Sequence, residues 1–390
     1  MNNLQRGIID LVQAALTGEK VTLPADFDWA AAGPIGVSHS ILPMLYYGAQ
    51  NGGVPLPDEV QKRLETAAMR SLFIDQNQIY EIDRIRTCFA ENGIDFMPLK
   101  GCLLKALYPR TDMRPMGDAD ILIKTEQYDA ICPLMEKLGF EAKLESDHEL
   151  VWQKSTLYLE LHKRLIPSYN KDYYAYFGDG WKLARKTATT EHVMGDEDQF
   201  IYLFTHYAKH YRDSGIGIRH LVDLHLYLQA KPQMDWVYVE QELEKLQLLP
   251  FCRNTLSVID VWFKGAADTA MTDFITDRIF GSGSFGTQKN SLLSEGLKNS
   301  KSGTKEGVQT RKRLVMAFPS AKALAPKYPV LNKCPWLLPA VWVYRWVAAL
   351  LFKRDTIRRE QDKVNVMTAE NIAAYQDELN YVGLDFNFEE

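Results

Sequence analysis

The segment Leu157-Tyr158-Leu159-Glu160-Leu161-His162 alternates strictly between apolar and polar side chains. A period of two fits a β-strand and no helix, because successive side chains of a strand leave on opposite faces. Leu157, Leu159 and Leu161 form one face, suited to a core, and Tyr158, Glu160 and His162 form the other. Glu160 and His162 therefore stand together on the face away from the core. The chain must build a sheet here, although its flanks read as helical.

Residues 1–92 form an N-terminal helical region. Ile8, Ile9, Leu11, Val12 and Leu16 recur at helical spacing, as do Leu64, Met69, Leu72 and Phe73. Pro24, Pro34, Pro55 and Pro57 divide it into several short helices before one long helix from Ser71 to Asn92, stopped by Gly93. The pattern then changes. Ile94–Leu99 reads as a strand, Leu103–Tyr108 as a brief helix and Ala119–Lys124 as a strand. A helix capped by Thr125 runs to Leu138, and a strand pair over 149–153 and 156–162 turns at Lys154-Ser155. These elements make a small α/β domain over 93–195. Helical periodicity returns from Glu197, giving a helical lobe over 196–390, within which 281–306, rich in Gly, Ser, Lys and Asn, reads as an exposed mobile loop. The fold class is α+β, a small mixed sheet embedded in a largely α-helical chain with a helical C-terminal lobe.

With 390 residues the chain exceeds the size of a single core, so two or more lobes are expected. The net charge of -5 argues against a dedicated duplex-DNA binder. Cys88, Cys102, Cys132, Cys252 and Cys334 show neither disulfide nor metal-ligand spacing, and residues 1–16 lack the apolar core of a secretory signal. A cytoplasmic protein is the expectation. Trp336–Phe352 is the most apolar segment, but it carries Pro339 and Arg345 and is too short for a transmembrane span of about 20 residues. It reads first as a buried helix and second as an aromatic-basic helix lying on a membrane surface.

Arg114-Pro115-Met116-Gly117-Asp118-Ala119-Asp120-Ile121-Leu122-Ile123 is the stretch richest in chemistry. On a strand, Asp118 and Asp120 share a face. Adjacent carboxylates repel, so a cation is required to compensate them. Oxygen ligands select a hard ion, Mg2+ or Mn2+, and such ions suit phosphoryl or nucleotidyl transfer. Glu160 is the candidate third carboxylate, with His162 beside it.

Leu99-Lys100-Gly101, Tyr108, the Arg114–Asp120 block, Glu160-Leu161-His162, His206-x-x-x-His210 and Gly215-x-Gly217-Ile218-Arg219-x-x-x-Asp223 together resemble the bacterial nucleotidyltransferase family of the DNA polymerase beta superfamily. The resemblance covers roughly residues 70–350 and is most specific from Arg114 to Ile123. It implies that Asp118 and Asp120 are the paired metal-binding aspartates and that Glu160 is the third carboxylate, which helps activate the attacking hydroxyl. Lys100 and Gly101 fall where the superfamily's Gly-Gly or Gly-Ser turn lies beside the triphosphate. Here the turn is Lys-Gly followed by Cys102, and 16 residues separate Gly101 from Asp118, a longer interval than usual.

The implied partners are a nucleoside triphosphate, ATP first among them, and an acceptor that is a small molecule, a sugar or a macromolecule. Arg114 is expected to bind phosphate oxygens through its guanidinium fork. His206 and His210 share a helix face and read as a substrate-binding pair, a zinc site lacking its third ligand, or two histidines bonded at a lobe interface. Arg219 and Asp223, also four apart, read as a structural ion pair or as substrate contacts. A regulatory or antitoxin-like protein that binds nucleotide with little turnover is the competing reading, and a His206–His210 metallohydrolase is a third.

Overall fold

The alternating segment is a strand at the centre of a five-stranded sheet. The strands are β1 (Phe96–Pro98), β2 (Asp118–Ile123), β3 (Glu141–Glu145), β4 (Glu149–Lys154) and β5 (Leu157–His162), in the order β1-β2-β5-β4-β3. β2 and β5 run parallel, and every other neighbouring pair is antiparallel. The α+β class with a small mixed sheet in a mainly helical chain is therefore observed. The computed structural model describes residues 1–187, 189–300, 305–352 and 354–384.

One face of the sheet is the core of its unit. Ala119, Ile121 and Ile123 of β2 and Leu157, Leu159 and Leu161 of β5 are fully buried. They pack with Ile82, Ile85 and Phe89 of the helix α4 (Asp58–Glu91) and with Ile131 and Met135 of α6 (Tyr128–Lys137). Burying each such Ile or Leu contributes about 1.5–3 kcal/mol. The opposite face is left for polar groups.

Before α4 come three shorter helices, α1 (Asn3–Thr17), α2 (Trp29–Ser38) and α3 (Leu42–Gly52). An Asn2–Gln5 capping box starts α1. α1 and α3 touch so closely that a Cβ on Gly48 would sit 1.9 Å from the Leu11 carbonyl oxygen, so glycine is required there. α4 starts earlier than the expected Ser71, because Leu64 and Ala68 extend its buried stripe toward the N-terminus. A four-residue turn, α5 (Gly101–Leu104), follows β1. After the sheet come α7 (Lys171–Phe177), α8 (Asp196–Asp213), α9 (Ile218–Ala230), α10 (Trp236–Lys245), α11 (Leu249–Phe263) and α12 (Ala270–Phe280).

The chain divides into two units, the first comprising Met1–His210, Ile216–Phe285 and the stretch from Val382 onward. The second comprises Tyr211–Gly215 and Gly286–Tyr381. It contains α13 (Gln288–Ser300), α14 (Lys305–Ala317), α15 (Ala321–Leu324), α16 (Val330–Lys333), α17 (Leu338–Phe352), α18 (Arg354–Val366) and α19 (Ala369–Tyr381).

Two expectations are corrected in this second unit. The loop read over 281–306 contains α13, whose Leu293 and Leu297 are buried one turn apart. Small residues conceal the helix in the sequence. A Cβ on Gly296 would lie 2.8 Å from Ile372 Cδ1, so the composition that suggested a loop instead permits close packing. Residues 301–304 of that stretch lie outside the described residues. α17 is also not the buried helix first expected, since Val343, Tyr344 and Val347 face solvent. Among the described residues no helix is long and apolar enough to cross a membrane.

Candidate functional site

The parallel register of β2 and β5 sets Asp120 directly beside Glu160, with Asp118 beside Tyr158 and Leu122 beside His162. Register plus alternation thus delivers Asp118, Asp120, Glu160 and His162 to one face of the sheet, opposite the core. Asp120 is buried and Glu160 half-buried, whereas Asp118, at the start of β2, is exposed.

Asp120 carries most of the geometry. Its Oδ1 accepts from Lys100 Nζ at 2.7 Å and pairs with His162 Nε2 at 2.7 Å. An ionised carboxylate can only accept, so His162 Nε2 is the protonated nitrogen. His162 Nδ1 then accepts from His148 Nε2 at 3.3 Å, a short relay ending on Asp120. Burial pushes the Asp120 carboxyl up, but the Lys100 and His162 contacts outweigh it and hold Asp120 well below the usual carboxylate range. Lys100 is shifted the other way. Burial lowers its pKa, Asp120 raises it by more, and the ammonium is retained.

Glu160 behaves differently. Burial, followed by the charges of Asp118, Asp120 and Glu149, pushes its carboxyl up to about 8. Asp118 is thus close enough to repel Glu160 although it makes no hydrogen bond among the described contacts. Lys100 is the cation that bonds directly to this group, through Asp120, and its charge lowers the Glu160 carboxyl by less than burial and the neighbouring carboxylates raise it. His148 is held neutral, down to about 3, by burial first and then by His162.

The loop between α5 and β2 is clamped from three sides. Arg114 is buried, and its Nε and Nη2 donate to the two oxygens of Asp223 on α9 at 2.7 and 2.8 Å. Tyr108 Oη donates to the same Asp223 at 2.7 Å. Arg219 donates to the Pro115 carbonyl, Gln78 of α4 to the Met116 carbonyl, and Tyr47 of α3 to Asp112. This corrects two expectations. Arg114 does not face an incoming phosphate, because its fork is filled by a carboxylate. Asp223 pairs with Arg114, not with Arg219 four residues away, because the strand-side arginine offers the bidentate geometry. Arg114 and Asp223 serve to position the loop that leads into Asp118.

Gly101 has a packing reason of its own. A Cβ there would meet Met116 Sδ at 2.5 Å and Arg114 Nη1 at 2.9 Å. Lys100 is held at φ 40°, a left-handed conformation uncommon outside glycine, and that backbone turns its ammonium onto Asp120. His162, expected to touch substrate, is instead buried against Asp120.

His206 and His210 of α8 lie Nε2 to Nε2 at 3.1 Å, as their spacing predicts. His206 is kept neutral by burial first and by the nearby Lys100 next. Among the described residues no third metal-ligating side chain joins this pair, so a zinc site there is not supported.

Three residues of the site were not read from sequence. Glu149 lies opposite His162 in the β4–β5 register, and His148 precedes it. The alternation of buried Leu150 and Trp152 with Glu149, Val151 and Gln153 was the available signal. Tyr202 of α8 is fully buried with its hydroxyl unbonded among the described residues, and its pKa is pushed up to about 12 by burial despite Lys100. No local pattern marks it.

Asp120, Glu160 and His162 offer three ligand atoms within 4.8 Å of one another, and so do His148, Glu149 and His162. Two carboxylates with Asp118 beside them and one imidazole fit a divalent cation, and the raised Glu160 carboxyl reflects negative charge that such a cation would relieve.

Comparison with known proteins bears on what this arrangement belongs to. No curated protein matches the sequence. The fold is similar to the solution structure of the antibiotic-resistance factor ANT(2'')-Ia, at 15% identity and a TM-score of 0.32, over 48% of this chain and 97% of that one. That level of similarity is too low to inform on substrate. The model of a family described as uncharacterised nucleotidyltransferase matches residues 25–264, which takes in α2 to α4, the whole acidic site and the α8–α9 region. With the greater part of its length matched, and the matched part containing every residue described above, the chain belongs to this nucleotidyltransferase family.

Proposed function

We propose that the protein is a metal-dependent nucleotidyltransferase of the DNA polymerase beta type, moving a nucleoside monophosphate from a triphosphate, ATP first among candidates, to an acceptor hydroxyl in the cytoplasm. The observation that carries this reading is the pairing of Asp120 with Glu160 across parallel strands, with Asp118 beside them. In this reading the transfer chemistry belongs to the 93–195 region, and α8 of the helical 196–390 region forms the facing wall.

Asp118, Asp120 and Glu160 would hold Mg2+ or Mn2+, which when bound neutralises charge on the triphosphate. The imidazole of His162 tilts the donor set from Mg2+ toward Mn2+ if it ligates directly. While Nε2 keeps its proton and its bond to Asp120, the role of His162 is the alternative one, orienting that carboxylate. Lys100 compensates Asp120 here, and would be available to meet the triphosphate if a divalent ion took over that compensation. The acceptor oxygen attacks the α-phosphorus, the bond from that phosphorus to the β-phosphate oxygen breaks, and pyrophosphate leaves. Glu160, in its carboxylate form, takes the hydroxyl proton. His206 and His210 are proposed to line the acceptor side, with Tyr202 between them and Lys100.

A panel of nucleoside triphosphates and acceptors, followed by mass spectrometry for a transferred monophosphate, tests the reading. Transfer by the wild type with Mg2+ or Mn2+ and none by Asp120→Ala is the expected result. Nucleotide binding without transfer to any acceptor would favour the regulatory, antitoxin-like reading.

A further inference from the structure

The α14–α17 region presents a surface unlike the rest of the molecule. The stretch from Gly307 to Arg354 carries nine Lys and Arg residues and no Asp or Glu, within a chain whose net charge is -5. The same stretch exposes large apolar side chains, Trp336 at 72%, Tyr344 at 63%, Val343 at 54% and Val347 at 50%. On α17 Val343, Tyr344 and Val347 recur at helical spacing, so apolar side chains face solvent where an ordinary surface helix would bury them. Leu314, Val315 and Val330 extend the exposed apolar surface.

The patch is built, with two of its indole N–H groups hydrogen-bonded. Trp342 Nε1 donates to the Pro319 carbonyl and Trp346 Nε1 to the Ala317 carbonyl, each at 2.9 Å. Phe318 packs edge-on against both indoles, with ring centroids 5.1 and 5.0 Å away. This zips the end of α14 to α17. Lys322, Lys327 and Lys333 stand exposed on the connection between the two helices.

We infer that this face docks on an anionic lipid bilayer. Aromatic rings and aliphatic side chains enter the headgroup–acyl boundary, while lysines and arginines around them meet lipid phosphates. α17 has 15 residues, about 22 Å of helix, and so lies on a bilayer whose hydrocarbon core is about 30 Å thick. Charge decides against a second copy of this chain as occupant, since a self-complementary contact would oppose two wholly basic surfaces. Composition decides against nucleic acid. Bases stack on aromatic rings, but the exposed Leu314, Val315, Val330, Val343 and Val347 offer them nothing, whereas acyl chains cover all of these equally. The inference is independent of the nucleotidyltransferase site, which none of these residues enters.

Flotation of the full chain with vesicles of phosphatidylcholine, with and without phosphatidylglycerol, tests it. The wild type is expected to float with the phosphatidylglycerol vesicles at low salt and progressively less as salt is raised. Lys322→Glu/Lys327→Glu/Lys333→Glu should cut partitioning by about 100-fold, and Trp336→Ala/Tyr344→Ala by about tenfold. All five positions are exposed, so circular dichroism of both variants should match the wild type. Absence of flotation with anionic vesicles, or flotation that survives both sets of substitutions, overturns the inference. So does tight binding of a single-stranded oligonucleotide by a wild type that ignores the vesicles.

Discussion

Asp120 and His162, 42 residues apart in sequence, share a 2.7 Å bond between Oδ1 and Nε2, and Lys100 meets the same oxygen from the opposite end of the chain segment. One carboxylate oxygen thus carries two donors, while Glu160 beside it has only the longer 3.5 Å approach of His162 Nε2 among the described contacts. Replacing His162 with Ala should weaken Mn2+ binding by about 10–100-fold, as loss of an orienting partner does at metal sites. Titration calorimetry of the variant against the wild type checks this, and unchanged affinity would remove His162 from the site.

Lys100 occupies Asp120 in the absence of a divalent ion. Lys100→Met should destabilise the protein by about 1.5–3 kcal/mol, the usual worth of a hydrogen bond to a charged group. Mn2+ should restore most of that loss, because it supplies the missing positive charge. Urea unfolding with and without Mn2+ reads both effects. Equal destabilisation in the two conditions would mean that Lys100 and the cation do not compete for Asp120.

The Arg114–Asp223 pair is buried, so removing one partner strands the other charge. Arg114→Ala should cost about 3–5 kcal/mol in unfolding free energy. Asp223 adds a pH signature. Burial pushes its carboxyl up, Arg114 pulls it down by more, and the folded value lies below the ordinary one. Its contribution is therefore fully present above the unfolded carboxylate pKa of about 3.9 and is lost as pH falls through the lower folded value. The stability difference between wild type and Asp223→Asn should shrink as pH drops from 5 to 2 in acid-unfolding curves, by about as much as the pair is worth. A difference independent of pH would contradict the pairing.

Gly101→Ala should destabilise by about 1–3 kcal/mol, since the new methyl group collides with Met116 and the fixed Arg114. Met116→Ala in the same chain opens space and should recover part of the loss. Thermal unfolding of the single and double variants measures it. An additive double variant would show that the collision is absent.

The legible parts of the fold were those with a local period. The strict alternation of Leu157–His162 located β5, and the apolar run read over Ala119–Lys124 located β2 to within one residue, so the facing of Asp120 and Glu160 followed once both lay in one sheet. β3 was not legible, because every side chain of Glu141–Glu145 is exposed and an edge strand with no buried face has no alternation to read. Arg114 and Asp223 lie 109 residues apart, and the nearer Arg219 offered a local partner that the fold does not use. α17 misled for the opposite reason. Its apolar run has the composition of a core helix, and only the tertiary arrangement shows that the run faces outward. Spacing identifies faces, but which face is covered is decided by contacts distant in sequence.

Asp118, Asp120 and Glu160 are proposed to form a divalent-cation site for a nucleoside triphosphate. Calorimetric titration of Mn2+ into the full chain, in the presence of a non-hydrolysable ATP analogue, tests it without knowledge of the acceptor. One or two bound ions are expected in the wild type, with a loss of at least about 100-fold in affinity for both Asp120→Ala and Glu160→Gln, each still folded by circular dichroism. Mn2+ binding of wild-type strength in these two variants would contradict it.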